Sequence, residues 1–222
     1  MEIKNKRVLV FGGAGLVGMA ICRRVIAEGP DELIVASLTE AEATEACEIL
    51  TRETGGNILI TPAWGDIFLR QELQGYTRQQ LLEDPEARRK IIEDVLGEFN
   101  QEILSRSYLY QMLKRFRPHI VIDCVNSATA VAYQDVFKSY FRLTQHLELV
   151  RKTGQVEKDF VTGVEQLLCT LYVPQLIRHV QILYESMRQV KTEYYFKIGT
   201  SGTGGMGLNI PYTHSEEKPS RV

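Results

Sequence analysis

The first sixty or so residues alternate between short apolar runs and longer stretches with helical periodicity. Arg7 to Phe11 is a β-branched run with charge before it and glycine after it, the pattern of a buried strand. Leu16 to Glu28 carries Val17, Ala20, Ile21, Val25 and Ile26 at helical spacing and stops at Gly29-Pro30. Glu32 to Ser37 reads as a second strand. Glu40 to Arg52 reads as a second helix closed by Gly55-Gly56, and Asn57 to Thr61 as a third strand. Strand, helix, strand, helix, strand in so short a stretch predicts parallel strands joined by right-handed crossovers.

The alternation then loosens. From Ile67 to Arg117 the chain is charged and helical, punctuated by Gly75 and Pro85. A crossover needs only about a dozen residues, so most of 67–117 reads as a helical insertion: a lid, a dimer contact or a partner surface. It carries both signs of charge, which makes a solvated helical face the default reading. Pro118 stops it, and His119 to Val125 reads as a fourth strand. A long helical region follows from about Ala130 to Arg188, broken near Thr153-Gly154 and restarted near Pro174. Tyr194 to Ile198 reads as a fifth strand, followed by a loop with five glycines between Gly199 and Gly207. Asn209 to Val222 has no periodicity.

Composition narrows the class. The chain has 222 residues, 44% hydrophobic and 24% charged, with a formal net charge of −2. That suits a single domain able to fold without disulfides or metal. No basic stripe marks a nucleic-acid surface. The longest apolar runs are strand-sized, so no membrane partner is expected. The apolar run near the N-terminus is too short for a signal peptide and meets glycines, which reads as a cytoplasmic chain. Cys22, Cys47, Cys124 and Cys169 form no C-x-x-C pair and read as buried free thiols.

The chemistry begins at Gly12-Gly13-Ala14-Gly15-Leu16-Val17-Gly18, a G-x-x-G-x-x-G run between the first strand and the first helix. A helix N-terminus presents free backbone N–H groups and the positive end of its dipole to a pyrophosphate. Gly12 permits the sharp turn, Gly15 the approach of the phosphates, and Gly18 close helix–strand packing. Gly12, Gly15, Leu16, Val17 and Gly18 are therefore candidate cofactor-binding residues in a Rossmann-like doubly wound parallel sheet, strand order 3-2-1-4-5, with long helical insertions. The cofactor is NAD or NADP, and the residues at the end of strand two leave the choice open. Ser37 stands where an acid usually meets the ribose, and Ser37 or Thr39 could bond a ribose or a 2′-phosphate. Past strand three, Asp66 and Ile67 are placed to hold adenine. Asp66 would accept from the amino group while its backbone N–H donates to the ring. A turn or cap is the plain alternative. After strand four, Val125, Asn126 and Ser127 would line the inner ribose and nicotinamide. After strand five, on a loop beside the nicotinamide, Thr200 is a further candidate cofactor-binding residue, and its hydroxyl and that of Ser201 could bond a substrate carbonyl or alcohol.

In this order the features resemble the extended short-chain dehydrogenase/reductase superfamily, the NAD-dependent epimerases and dehydratases. The resemblance implies an oxidoreductase or epimerase with a sugar nucleotide as substrate, paired as a homodimer through the long helices at about 130–188. There Leu167, Leu168, Leu171, Ile177, Val180 and Leu183 would serve core and interface. It further implies Ser201 as the catalytic hydroxyl, with Thr200 and Thr203 as register alternatives, followed by Tyr-x-x-x-Lys. That motif is not found here: four positions beyond Tyr212 stands Glu216. The chain then reads either as one dinucleotide-binding domain of a longer enzyme, the substrate domain lying beyond it, or as a non-catalytic dinucleotide-binding sensor or scaffold.

Overall fold

The computed structural model describes residues 2–125, 136–156 and 158–198, with the side chains of 136–142 left aside. Five parallel strands form one sheet in the order β3-β2-β1-β4-β5, as the sequence predicts. They are β1 (Arg7–Phe11), β2 (Glu32–Ser37), β3 (Leu59–Trp64), β4 (Ile120–Asp123) and β5 (Tyr194–Lys197). The chain divides into two compact units. The first comprises Met1–Gly65, Leu113–Ala128 and Arg188–Val222; the second comprises Asp66–Met112 and Thr129–Met187.

The sheet unit is built on β1. Its side chains alternate, and Val8 and Val10 point into a core with Leu33 and Val35 of β2 and Ile120 and Ile122 of β4. Helices α1 (Leu16–Ile26) and α2 (Glu40–Thr54) close that core with Cys22, Val25, Ala46, Cys47 and Leu50. Each fully buried Leu or Val contributes about 1.5–3 kcal/mol of transfer free energy. Helix α2 starts at Thr39, whose side chain accepts from the Glu42 N–H, and ends at Gly55 in the left-handed region with φ 62°.

β3 begins two residues later than the pattern predicts and runs through Pro62 to Trp64. Gly55 and Gly56 both turn at positive φ, so the chain cannot extend immediately after α2. The six residues of β2 then set the pairing length, from Glu32 opposite Leu59 to Ser37 opposite Trp64. Proline is tolerated in an edge strand whose N–H side faces outward, and β3 is the sheet edge among the described residues.

The expected helical insertion is a 3-10 turn (Gln71–Leu73) and helices α3 (Arg78–Glu83), α4 (Pro85–Leu96), α5 (Gln101–Arg106) and α6 (Tyr108–Phe116). The later region supplies α7 (Val136–Thr153), α8 (Lys158–Cys169) and α9 (Tyr172–Val190). The break at Gly154, φ 67°, falls where glycine allows it, and Pro174 sits in the first turn of α9, where its missing N–H costs nothing. In the helical unit Leu69, Leu73, Leu81, Ala87, Ile91 and Cys169 make one core. Two buried arginines organise it. Arg70 donates to both oxygens of Asp94 at 2.6 Å, and Arg106 adds a bond to the same carboxylate at 2.9 Å. Arg88 meets Glu165 at 2.8 Å and the carbonyls of Leu82 and Glu83. Removing one partner of such a buried pair typically costs about 3–5 kcal/mol. No single helix among the described residues is long and apolar enough to cross a membrane.

β1 and β4 are joined at their starts by a reciprocal contact. The Arg7 N–H donates to Nδ1 of His119 at 3.0 Å, and the His119 N–H donates to the Arg7 carbonyl at 2.9 Å. As an acceptor that nitrogen must be unprotonated. Burial, with Arg7 and Lys6 nearby, lowers the His119 pKa below its ordinary 6.5. The unfolded chain therefore binds this proton first as pH falls, so the contribution is fully present above about pH 6.5 and is lost as pH falls through the folded pKa. We expect urea midpoints of the sheet unit to decline below pH 6.5, and His119→Ala to flatten that decline. A wild-type His119 resonance titrating above 6.5 by NMR would contradict this account.

Candidate functional site

The glycine turn joins β1 to α1, and three of its glycines answer to the fold itself. Gly12 has φ +69°, and a Cβ there would lie 3.3 Å from the Cys124 carbonyl carbon and 3.4 Å from the Val125 side chain. At Gly13 a Cβ would meet Val35 at 2.7 Å, and at Gly18 it would lie 2.1 Å from the Gly12 oxygen. Gly15 is different. Its φ is −72°, open to any residue, and an added Cβ meets only the Gly12 oxygen, at 3.3 Å. The fold makes a weaker demand for glycine there than at Gly18, the added atom standing close to a single backbone oxygen, and the small residue leaves the backbone open to approach.

Gly15 is also the N-cap of α1 and supplies no side-chain cap, and the first turn holds no acid. The Gly15 N–H bonds the Gly12 carbonyl, and the first helical bond is Met19 N–H to the Gly15 carbonyl. Among the described residues nothing accepts from the N–H groups of Leu16, Val17 and Gly18. Three donors and a helix dipole thus face the carboxyl edge of the sheet. Leu16 is 80% and Val17 50% exposed, and Leu38, just past β2, is 61% exposed. Exposed apolar side chains of this kind suit the flat face of a base or sugar.

At the end of β2 the Ser37 hydroxyl donates to a Glu42 carboxylate oxygen at 2.9 Å. The carboxylate beside Ser37 thus comes from five residues on, in the first turn of α2. Arg23 and Arg24, the basic residues of α1, are engaged elsewhere: Arg23 with Glu53 at 2.8 Å and Arg24 with Glu28.

The end of β4 holds a group that the sequence reading missed. Asp123 is buried, its Oδ2 accepting from the Tyr195 hydroxyl at 3.0 Å and from Lys197 Nζ at 2.9 Å. Its Oδ1 accepts from the Val125 N–H at 2.9 Å, and Lys197 also donates to the Val125 carbonyl at 2.6 Å. Tyr195 and Lys197 lie two apart on β5 and so share a face. Burial first, then the Asp123 charge, pushes the Tyr195 phenol above its ordinary range. Tyr195 is a donor that helps fix Asp123, and Asp123 and Lys197 fix Val125 beside Gly12.

Of the predicted site residues, Gly12, Gly15, Leu16, Val17, Gly18, Ser37 and Val125 lie in the sheet unit, at or beside the carboxyl ends of β1, β2 and β4. Asp66 and Ile67 belong to the helical unit. Asp66 Oδ1 accepts from the Phe68 N–H at 2.9 Å, the turn role weighed as the alternative. Its backbone N–H and C=O are taken by the Gln74 carboxamide at 2.8 and 3.0 Å. Burial raises the Asp66 pKa, and the Ile67 side chain is buried. Asn126, Ser127, Thr200, Ser201, Thr203, Tyr212 and Glu216 lie outside the described residues. Cys22, Cys47 and Cys169 are buried and Cys124 half-buried, all as free thiols; burial pushes Cys22 and Cys169 up to about 12 and Cys47 and Cys124 to about 11. None is a thiolate at neutral pH. Among the described residues no group of His, Cys, Asp or Glu could hold a metal ion.

No protein-family model matches the chain, and no curated protein matches it. Solved structures similar to it include an A-type ketoreductase from a modular polyketide synthase, 19% identical with TM-score 0.34 over 83% of this chain. The first ketoreductase of the tylosin polyketide synthase is 17% identical with TM-score 0.39 over 93%. L-sorbose reductase from Gluconobacter frateurii, solved with NADPH and L-sorbose, is 13% identical with TM-score 0.32 over 95% of this chain and 100% of its own. The chain spans 36% and 41% of the two ketoreductase chains. At these identities and scores the likeness says nothing of this chain's chemistry.

The glycines separate in mutagenesis. Gly18→Ala drives a Cβ into the Gly12 carbonyl and is expected to cost about 1–3 kcal/mol or more, seen as a lower urea midpoint. Gly15→Ala should leave that midpoint within about 0.5 kcal/mol of wild type. Equal destabilisation by the two would show that Gly15 also serves only packing.

Proposed function

We propose that the sheet unit binds a nicotinamide dinucleotide with its pyrophosphate on the N-terminus of α1, and that the chain is the cofactor-binding part of a short-chain dehydrogenase-type oxidoreductase. The observation that carries this is the combination at Gly15: three unpartnered N–H groups on a helix start, approached through a glycine for which the fold has little use. The neighbouring carboxyl ends of β1 and β4 form the switch point where ligands lie in open parallel sheets. Gly12, Gly15, Leu16, Val17 and Gly18 hold the pyrophosphate, Ser37 and Glu42 the adenine ribose, and Val125 the inner half of the cofactor. When bound, the dinucleotide would supply or accept a hydride. The residues of this chain orient it and screen its phosphates.

NAD is preferred to NADP in this reading. Glu42, held by Ser37, accepts from a ribose 2′-hydroxyl and repels a 2′-phosphate, while Arg23 and Arg24 are paired elsewhere. The resemblance adds a sugar nucleotide as substrate and Ser201 as the hydroxyl that orients it.

The test is titration of the purified chain with NADH and NADPH, followed by nicotinamide fluorescence. NADH should bind at least tenfold more tightly, Gly15→Val should abolish binding without unfolding the chain, and Glu42→Gln should narrow the gap. Absence of binding by both cofactors would end the proposal, and tighter binding of NADPH would end the NAD preference. Hydride transfer to a sugar nucleotide, lost in Ser201→Ala, separates an enzyme from a sensor.

A homodimer is proposed through α9, where Val173, Ile177, Val180 and Tyr184 are 54–65% exposed and fall at i, i+4, i+7 and i+11, one stripe of the helix. Leu183, offered for the same role, is buried. Light scattering should give twice the chain mass, falling to one chain mass in Val180→Asp; a wild-type monomer would refute it.

A further inference from the structure

The helical unit contains a buried cation that its neighbours do not neutralise. Arg178, on α9, is 8% exposed. Its Nε and Nη2 donate to the Val95 carbonyl at 3.4 Å, and Nη2 also to the Gly97 carbonyl. The guanidinium lies 5.2 Å from the centre of the Phe99 ring. Nη1 is buried and has no hydrogen-bond partner. No carboxylate stands within ion-pair distance of Arg178 among the described residues. The nearby Asp94 is spent, with Oδ1 shared by Arg70 and Arg106 and Oδ2 held by Arg70. Glu93 is likewise divided between Arg70 and Arg106. Arg70 and Arg106 thus share Asp94 and Glu93, Arg106 pairs with Glu102 as well, and of the three only Arg178 makes no ion pair among the described residues. Burial accordingly pulls the Arg178 pKa below its ordinary value.

Arg178 also lines a cavity of about 20 Å³, together with Asp94, Ser107, Gln175 and His179. That volume holds about one water-sized occupant. A water would satisfy the N–H but leave the charge uncompensated in a medium where an unpaired buried charge is costly. A monatomic anion satisfies both the size and the charge.

We propose that this cavity is a binding site for a halide ion, chloride under ordinary conditions, anchored by Nη1 of Arg178 and serving to hold α9 against the Val95–Gly97 turn. The site is independent of the dinucleotide reading and stands if that reading falls.

The experiment is thermal unfolding of the chain in sodium chloride against sodium gluconate at matched ionic strength. Chloride should raise the melting temperature by several degrees and saturate, gluconate should not, and Arg178→Met should melt the same in both salts. Superimposable wild-type curves would overturn the proposal, as would full chloride dependence in Arg178→Met. Should that variant not fold, crystals grown in bromide decide the matter. An anomalous peak in hydrogen-bonding range of Nη1 supports the site, and its absence there overturns it.

Discussion

The contact between Gly18 and the Gly12 carbonyl sets where α1 can begin. With a hydrogen in place of a Cβ, the first turn of the helix sits directly on the end of β1, and the chain must reverse within the four residues Gly12 to Gly15. Gly13 is pressed against Val35, so the turn is also locked to β2, and Gly12 is pressed against Cys124, which locks it to β4. One backbone turn is thereby held by three strands. The first-turn N–H groups are presented as a fixed consequence of packing and need no ordering when a ligand arrives. Pre-organisation of this kind lowers the entropic cost of binding a flexible pyrophosphate.

The same logic of side chains fixing backbone recurs at β4. Asp123 and Lys197 hold Val125, and the Tyr195 hydroxyl helps to fix Asp123. The helical unit uses charge differently. Arg70 and Arg88 are saturated by carboxylates and carbonyls and act as cross-links between segments, whereas Arg178 is anchored by carbonyls alone along one side.

The order of the sheet and most strand boundaries were legible because each strand is a short apolar run with its own glycine or proline punctuation. Local pattern is enough to locate Arg7–Phe11 or Glu32–Ser37, as is the helix start after Gly15. β3 was misjudged at both ends because its length is dictated by β2 rather than by its own residues, and Pro62 looks like a stop unless the strand is known to be an edge. The glycine turn was legible as a motif, but the separate duties of Gly15 and Gly18 were not, since they depend on what an absent Cβ would strike. Glu42 was passed over because an acid was sought at the strand end, and the contact is made back from the helix. Asp123, Tyr195 and Lys197 were invisible because seventy-odd residues separate β4 from β5. At Asp66 the position after β3 was legible, but the Gln74 carboxamide that takes its backbone N–H and C=O, a partner eight residues away, was not.

Pro62 has one further consequence. An open strand edge is a template on which another chain can grow by hydrogen bonding, and long regular edges invite aggregation. Along β3 the outward row of donors is interrupted at Pro62, which has no N–H to offer. A foreign strand docking there would lose a rung in the middle of a six-residue ladder. The residue that made this segment hard to read as a strand is thus the one that keeps it from recruiting another.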